Sequence, residues 1–206
     1  MTIRAVVLDI GNVLLEWNPE RFYDRAIGPE RRRVLFAEAG VEEMNRRVDL
    51  GHPFAETIYA HADATPAWRD EIRMWHDNWI DMASPAIDRS VRLMAALQAR
   101  GVPVFSLTNF GVESYEIATG HYPFLKAFDR DFISGHLRVI KPDPRIYEHV
   151  EDATGLSGDA LLVTDDRAEN IDAAASRGWR THLFENPQGW ADRLVAEGLL
   201  NTEDTA

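Results

Sequence analysis

The 206-residue sequence contains no cysteine. That absence removes disulfides, thiolate metal ligands and cysteine nucleophiles together. No stretch approaches the roughly 18 consecutive apolar residues that a membrane helix needs. At the start, Ala5–Leu8 runs straight into Asp9, too short an apolar stretch for the core of a signal peptide. Basic residues are scarce: 22 Lys and Arg stand against 34 Asp and Glu, a formal net charge of −12. Nucleic acid or an anionic membrane as main partner demands the opposite balance. A small anionic substrate does not, because a few local cations or a bound metal can override the global field. These absences predict a cytoplasmic protein, monomer or homodimer, with neither a nucleic-acid nor a membrane partner.

What is present is ordinary for a globular chain, with 45% hydrophobic and 27% charged residues. The length suits one domain, or one core with a modest insertion. Ala5–Leu8 reads as a short strand buried on both faces, and 102–107, 161–163 and, more weakly, 181–184 have the same character. Helical patterns separate them. Ile87, Val91, Met94 and Ala95 recur at helical spacing before Gly101, and a second helix after Asp166 ends near Arg177 before Gly178. This rhythm predicts an α/β fold, a Rossmann-like doubly wound parallel sheet.

Residues 17–84 break the rhythm, being rich in Arg, Glu and Trp without a convincing buried strand. Leu35, Phe36, Met44, Ile58, Tyr59, Ile72, Trp75 and Trp79 are predicted to form the inner face of a small helical bundle. The expected organisation is a core of residues 1–16 and 85–206 with an inserted α-helical cap over 17–84. Such an insertion overhangs the carboxyl ends of the strands, where open α/β sheets bind ligands.

Three polar clusters follow directly on predicted strands: Asp9 with Gly11-Asn12, Thr108-Asn109, and Asp165-Asp166. Parallel strands bring such ends to one edge, where carboxylates from two strands could bracket a hard divalent cation such as Mg²⁺. Each acid could equally cap the helix after it. Three clusters together with a later Lys141-Pro142 favour the shared site.

Asp9-Ile10-Gly11-Asn12-Val13, Leu107-Thr108-Asn109, Lys141-Pro142-Asp143-Pro144-Arg145-Ile146-Tyr147 and Asp165-Asp166 with Asn170 resemble the four ordered motifs of the haloacid dehalogenase-like hydrolases. The resemblance spans nearly the whole chain, and the insertion stands where that family carries its helical cap. The nearest likeness is to bacterial sugar-phosphate phosphatases with Asp-x-Gly-Asn-Val at the first motif. It implies a Mg²⁺-dependent phosphatase acting on a small phosphorylated metabolite. Asp9 would be the nucleophile and, with Asp166 and the Gly11 carbonyl, a metal ligand. Thr108 and the Asn109 N–H would hold the phosphoryl oxygens, and Lys141 would neutralise charge on Asp9 and phosphate. Asp165 would act from behind the ligands, and Asn170 would orient the loop or Lys141.

One departure stands out. Most phosphatases of that family place a second Asp two residues after the nucleophile as general acid and base, and here the position is Gly11. The resemblance therefore implies slow chemistry, a need for good leaving groups, or help from a cap residue or water. The family's 2-haloacid dehalogenases also lack that Asp, but they work without metal and without a paired acidic motif. Asp165-Asp166 favours the phosphatase. A weakly catalytic binding protein on the same fold is the remaining alternative.

Weaker signals come with plainer readings. Trp68, Trp75 and Trp79 suit one face of an unbroken helix, as core or as a sugar-stacking platform. His52 beside Gly51 could face the site from a cap loop, or simply be exposed. Arg31-Arg32-Arg33 reads as a solvated helix face, and Asp129 and Asp131 as surface acids near a strand start.

Overall fold

The computed structural model describes residues 2–205. Five strands, β1 (Ala5–Leu8), β2 (Val104–Thr108), β3 (Arg130–Ile133), β4 (Leu161–Asp165) and β5 (Arg180–Leu183), form one sheet in the order β3-β2-β1-β4-β5. All four pairings are parallel. β1, β2 and β4 are buried along their whole length, which is why they read as unbroken apolar runs. The two edge strands do not. β5 is half-buried, and β3 begins with two exposed residues.

Between β1 and the first core helix lie α1 (Pro19–Ile27), α2 (Pro29–Glu38), α3 (Val41–Asp49), α4 (Phe54–Ala64), α5 (Arg69–Asp77) and α6 (Trp79–Met82). The core continues with α7 (Asp88–Ala99), α8 (Val112–His121), α9 (Ser134–Leu137), α10 (Pro144–Thr154), α11 (Ala168–Ser176) and α12 (Pro187–Ala196). Local chemistry starts several of these. Asn18, Asp143 and Asn186 each precede a proline at the first helical turn, and each side chain accepts a hydrogen bond from a backbone N–H of that turn.

Alternation along β1 divides the interior. Ala5 and Val7 pack with Ile146, Tyr147 and Val150 of α10 and Ala174 of α11 on one face. Val6 and Leu8 join Leu93, Met94 and Leu97 of α7 and Trp190 and Leu194 of α12 on the other. This second cluster continues without a break into the inserted helices through Leu35, Met44, Val48, Ile58, Ile72, Trp75 and Trp79. The bundle-facing residues expected from the sequence are therefore inside, with Phe36 and Tyr59 half-buried. The tryptophan stripe is different. Trp68 lies in a 3₁₀ turn, Trp75 on α5 and Trp79 on α6, so no unbroken helix carries them. Among the described residues, no helix is long and apolar enough to cross a membrane.

Candidate active site

Connections leave β1 toward β2 and β3 on one side and return through β4 and β5 on the other. The crevice at the carboxyl ends of β1 and β4 is thus the topological switch point. Asp9 follows β1, Thr108 ends β2, Asp165 ends β4 with Asp166 next, and Lys141 arrives from the loop before α10. A cavity of about 390 Å³ opens there. It is lined by Asp9, Gly11, Thr108, Asn109, Lys141, Asp166 and Asn170, which brings together all but one of the residues to which the family resemblance gives a role. The exception, Asp165, sits behind the wall with a side chain 2% exposed.

Lys141 organises the floor. Its Nζ lies 3.0 Å from Asp9 Oδ1 and 2.6 Å from Asp165 Oδ2, and donates to the Leu107 carbonyl at 2.8 Å. The Asn109 side chain clamps the lysine backbone, accepting from Lys141 N at 2.7 Å and donating to its carbonyl at 3.1 Å. Asp165 is saturated, because Asn170 Nδ2 donates to both of its oxygens and Arg167 N–H donates to Oδ1. Asn170 is thus a buried support for Asp165 rather than an exposed helix residue. Asn12, in a left-handed conformation, links the two sides of the crevice. Its side-chain Nδ2 donates to Asp166 Oδ2 at 2.9 Å, and its side-chain Oδ1 accepts from Trp17 N–H at 3.0 Å.

Charge is crowded here. Burial, with Asp165 and Asp166 nearby, raises the Asp9 carboxyl to about 7 despite Lys141. Burial also pushes Asp165 upward, but Lys141, the Arg167 N–H and the Asn170 amide outweigh it and hold the group below its ordinary value. Burial and Asp165 raise Asp166 against the opposing hydrogen bond from Asn12. For Lys141, burial acts downward, yet Asp165 and Asp9 keep it above normal. Three carboxylates thus face one ammonium.

Asp9, Asp165 and Asp166 each offer an oxygen, and the three atoms lie within 4.8 Å of one another. An all-oxygen, net-negative cluster is what a hard divalent cation takes. With Asp165 saturated, Asp9 and Asp166 are the carboxylates with capacity left for it.

Several lining residues went unmarked as site residues in the sequence: Trp17, Leu15 and Phe110 form an apolar wall with Trp79, the one tryptophan of the expected stripe that reaches the cavity, and Asn45 and Asp49 reach in from α3. His52 does not line the cavity and is exposed. The three arginines stay outside as well: Arg31 pairs with Glu71 over the Trp68 ring, Arg32 with Asp24 and Glu20, and Arg33 with Glu30. Asp129 and Asp131 are exposed, but they also tie strands together by accepting from Val104 N–H and Ser106 Oγ.

Burial, with Asp9 nearby, raises Asp49 to about 7. The folded protein therefore keeps this proton from about pH 4 to 7, where the unfolded chain has lost it, and stability falls as pH rises through that window. Asp49→Asn removes the penalty. Without divalent metal, the variant should gain on the order of 2 kcal/mol above pH 7 and nothing below pH 4. Melting curves at both ends check this, and an equal shift at each would show that Asp49 is not the titrating group.

The family model of the haloacid dehalogenase-like hydrolases matches residues 3–178, and the chain belongs to that family. It is a hydrolase of that class. Among curated proteins it is 25% identical over 190 residues to a sesquiterpene phosphatase of Aspergillus oryzae, covering 86% of this chain and 87% of the relative. It is 31% identical over 110 residues to an (S)-2-haloacid dehalogenase of a Pseudomonas species, covering 52% of this chain and 44% of that one. Among solved structures, a family enzyme of Bacteroides thetaiotaomicron in complex with magnesium and inorganic phosphate superposes with a TM-score of 0.67 at 16% identity. That match covers 93% of this chain and 98% of the other.

Proposed function

We propose that this hydrolase is a Mg²⁺-dependent phosphatase that cleaves a small phosphorylated metabolite through an aspartyl-phosphate on Asp9. The observation that carries the reading is the acidic trio beside Lys141, whose clustered oxygens leave Asp9 and Asp166 with unused ligand capacity. A bound Mg²⁺, held by Asp9, Asp166 and the Gly11 carbonyl, would supply positive charge that keeps Asp9 ionised and stabilises the phosphoryl oxygens. Asp9 attacks phosphorus, and water then hydrolyses the acyl phosphate. Lys141 offsets charge on Asp9 and on the phosphoryl group. Thr108 and the Asn109 N–H hold the equatorial oxygens, as phosphoryl transfer requires little beyond such positioning and compensation. The sesquiterpene phosphatase relative supports a phosphate ester as substrate, and the wall of Trp17, Trp79 and Phe110 suits a leaving group with a flat or apolar face. Residues 17–84 act as the cap over a core of 1–16 and 85–206.

The dehalogenase relative sustains a second reading, in which Asp9 displaces halide from a 2-haloacid without metal. Phosphate release from a panel of monophosphates, with Mg²⁺ or with EDTA, run beside halide release from 2-haloacids, separates the two. Phosphate release that EDTA abolishes and Mg²⁺ restores is the expected result. Metal-independent halide release would replace the phosphatase with the dehalogenase, and silence in both assays would leave a binding protein on this fold.

A further inference from the structure

The phosphatase reading leaves one proton without a donor. An alkoxide is a poor leaving group, and the position that would supply a carboxyl group beside the nucleophile is Gly11. The titratable and charged groups lining the cavity are Asp9, Asp49, Lys141, Asp166 and Arg167. Asp9 and Asp166 are committed to nucleophile and metal, Lys141 is fully bonded, and arginine does not give up its proton. The geometry points to Asp49, on the inserted helix α3, as the general acid for the leaving group and the general base for the hydrolytic water. This assignment rests on the phosphatase reading.

Hydrogen bonds around Asp49 determine where its proton sits. The Trp75 indole can only donate, and its Nε1 lies 3.2 Å from Asn45 Oδ1. That turns the Asn45 amide nitrogen toward Asp49 Oδ2, to which it donates at 3.0 Å. Oδ2 is therefore the accepting oxygen, and the proton belongs on Oδ1, which has no hydrogen-bond partner among the described residues. No Lys, Arg or His lies within ion-pair distance of this carboxyl among the described residues, and burial keeps it protonated up to about 7.

The core holds the end of α3 in place. Ser134 Oγ donates to the Asp49 carbonyl at 2.6 Å. Gly51 adopts a φ of +84°, and a Cβ there would lie 2.2 Å from the Gly135 carbonyl oxygen. At Gly111 a Cβ would lie 2.4 Å from Val48 Cγ1. Approach this close needs a glycine, so the helix end carrying Asp49 is seated directly on the loop after β2 and on α9.

The proton balance closes over two steps. An Asp9 oxygen bonds to phosphorus, the bond from phosphorus to the leaving oxygen breaks, and that oxygen takes the Asp49 proton as it departs as an alcohol. A water then attacks the aspartyl-phosphate and gives its proton to the Asp49 carboxylate. The Asp9–phosphorus bond breaks, inorganic phosphate leaves, and Asp49 is protonated again.

The test compares n-butyl phosphate with p-nitrophenyl phosphate, whose leaving oxygen needs no proton, in the presence of Mg²⁺. The unaltered protein should turn over both at comparable rates. Asp49→Asn should lose butyl phosphate turnover by about 10²–10⁴-fold. With the nitrophenyl ester it should release about one equivalent of nitrophenolate in a fast phase and then stall as the phosphoenzyme. Asp49→Glu, which keeps the acid, should recover butyl turnover. An Asn variant with the unaltered rate ratio and no fast phase would overturn the assignment. So would a change confined to KM, or a steep preference of the unaltered protein for the aryl ester, which needs no variant to fold. No phosphate from either ester in the unaltered protein would remove the phosphatase reading and this assignment with it.

Discussion

Asp9→Asn is expected to lower turnover by about 10⁴-fold or more while the protein stays folded, because the amide matches the carboxylate in size but cannot attack phosphorus. The fold should not suffer. Asp9 is a buried acid raised to about 7, so its ionised form opposes folding as pH rises from about 4 to 7, and the amide lifts that opposition. Lys141 keeps its contact with Asp165 when Asp9 is neutralised. Activity, phosphoenzyme trapping and a melting curve on one preparation check all three points. Residual turnover near the original rate would mean that a different group is the nucleophile.

Lys141→Ala should be damaging in two ways that separate with pH. The ammonium is the cation in contact with both Asp9 and Asp165, so its loss should cost turnover about 10²–10³-fold, comparable to deleting one donor aimed at developing charge. It also strands buried carboxylates, which costs about 3–5 kcal/mol when one partner of a buried pair is removed. Asp165 is held below its ordinary value by this lysine, so the stability it contributes is present above the unfolded pKa and lost as pH falls through the folded one. The stability deficit of the alanine variant should therefore be largest near neutral pH and shrink in acid. A deficit that is flat with pH would show that Lys141 matters through packing alone.

The parts of this design that could be read in the sequence share one physical property: they announce themselves locally. β1, β2 and β4 are covered on both faces, so their residues are apolar without alternation, and the polar groups after them mark the edge where ligands bind. Asp9, Thr108 and Asp165-Asp166 were legible for that reason, and Lys141 through the Lys141-Pro142 motif of the family resemblance. β3 was marked only as the neighbourhood of a strand start, because Arg130 and Asp131 are exposed and leave just Phe132 and Ile133 as an apolar signal. The tryptophans were legible as core but not as three separate elements, since the break at Asn78 carries no proline or glycine. Asp49 was hidden more deeply. It ends an amphipathic helix like many others, and it becomes a site residue only through docking against Ser134 and Gly135 of α9, a helix distant in sequence. In the sequence the nearby sign was the glycine at 51, whose positive φ the structure ties to the close approach to Gly135.

The pairing of β1 with β4 has a consequence for how this protein comes to be active. Asn12 and Asp166, joined by a hydrogen bond across the crevice, are 154 residues apart in the chain. The six inserted helices meet one another across shorter separations, such as the 48 residues from Tyr23 to Glu71, whereas the carboxylate cluster exists only once the first and fourth strands have met. Non-local strand pairing is slow compared with helix formation. During synthesis, most of the helical layer is made before the strand that completes the acidic cluster has left the ribosome. Recovery of hydrolysis after dilution from denaturant should therefore lag behind recovery of helical signal, making activity a stricter gauge of complete folding than secondary structure.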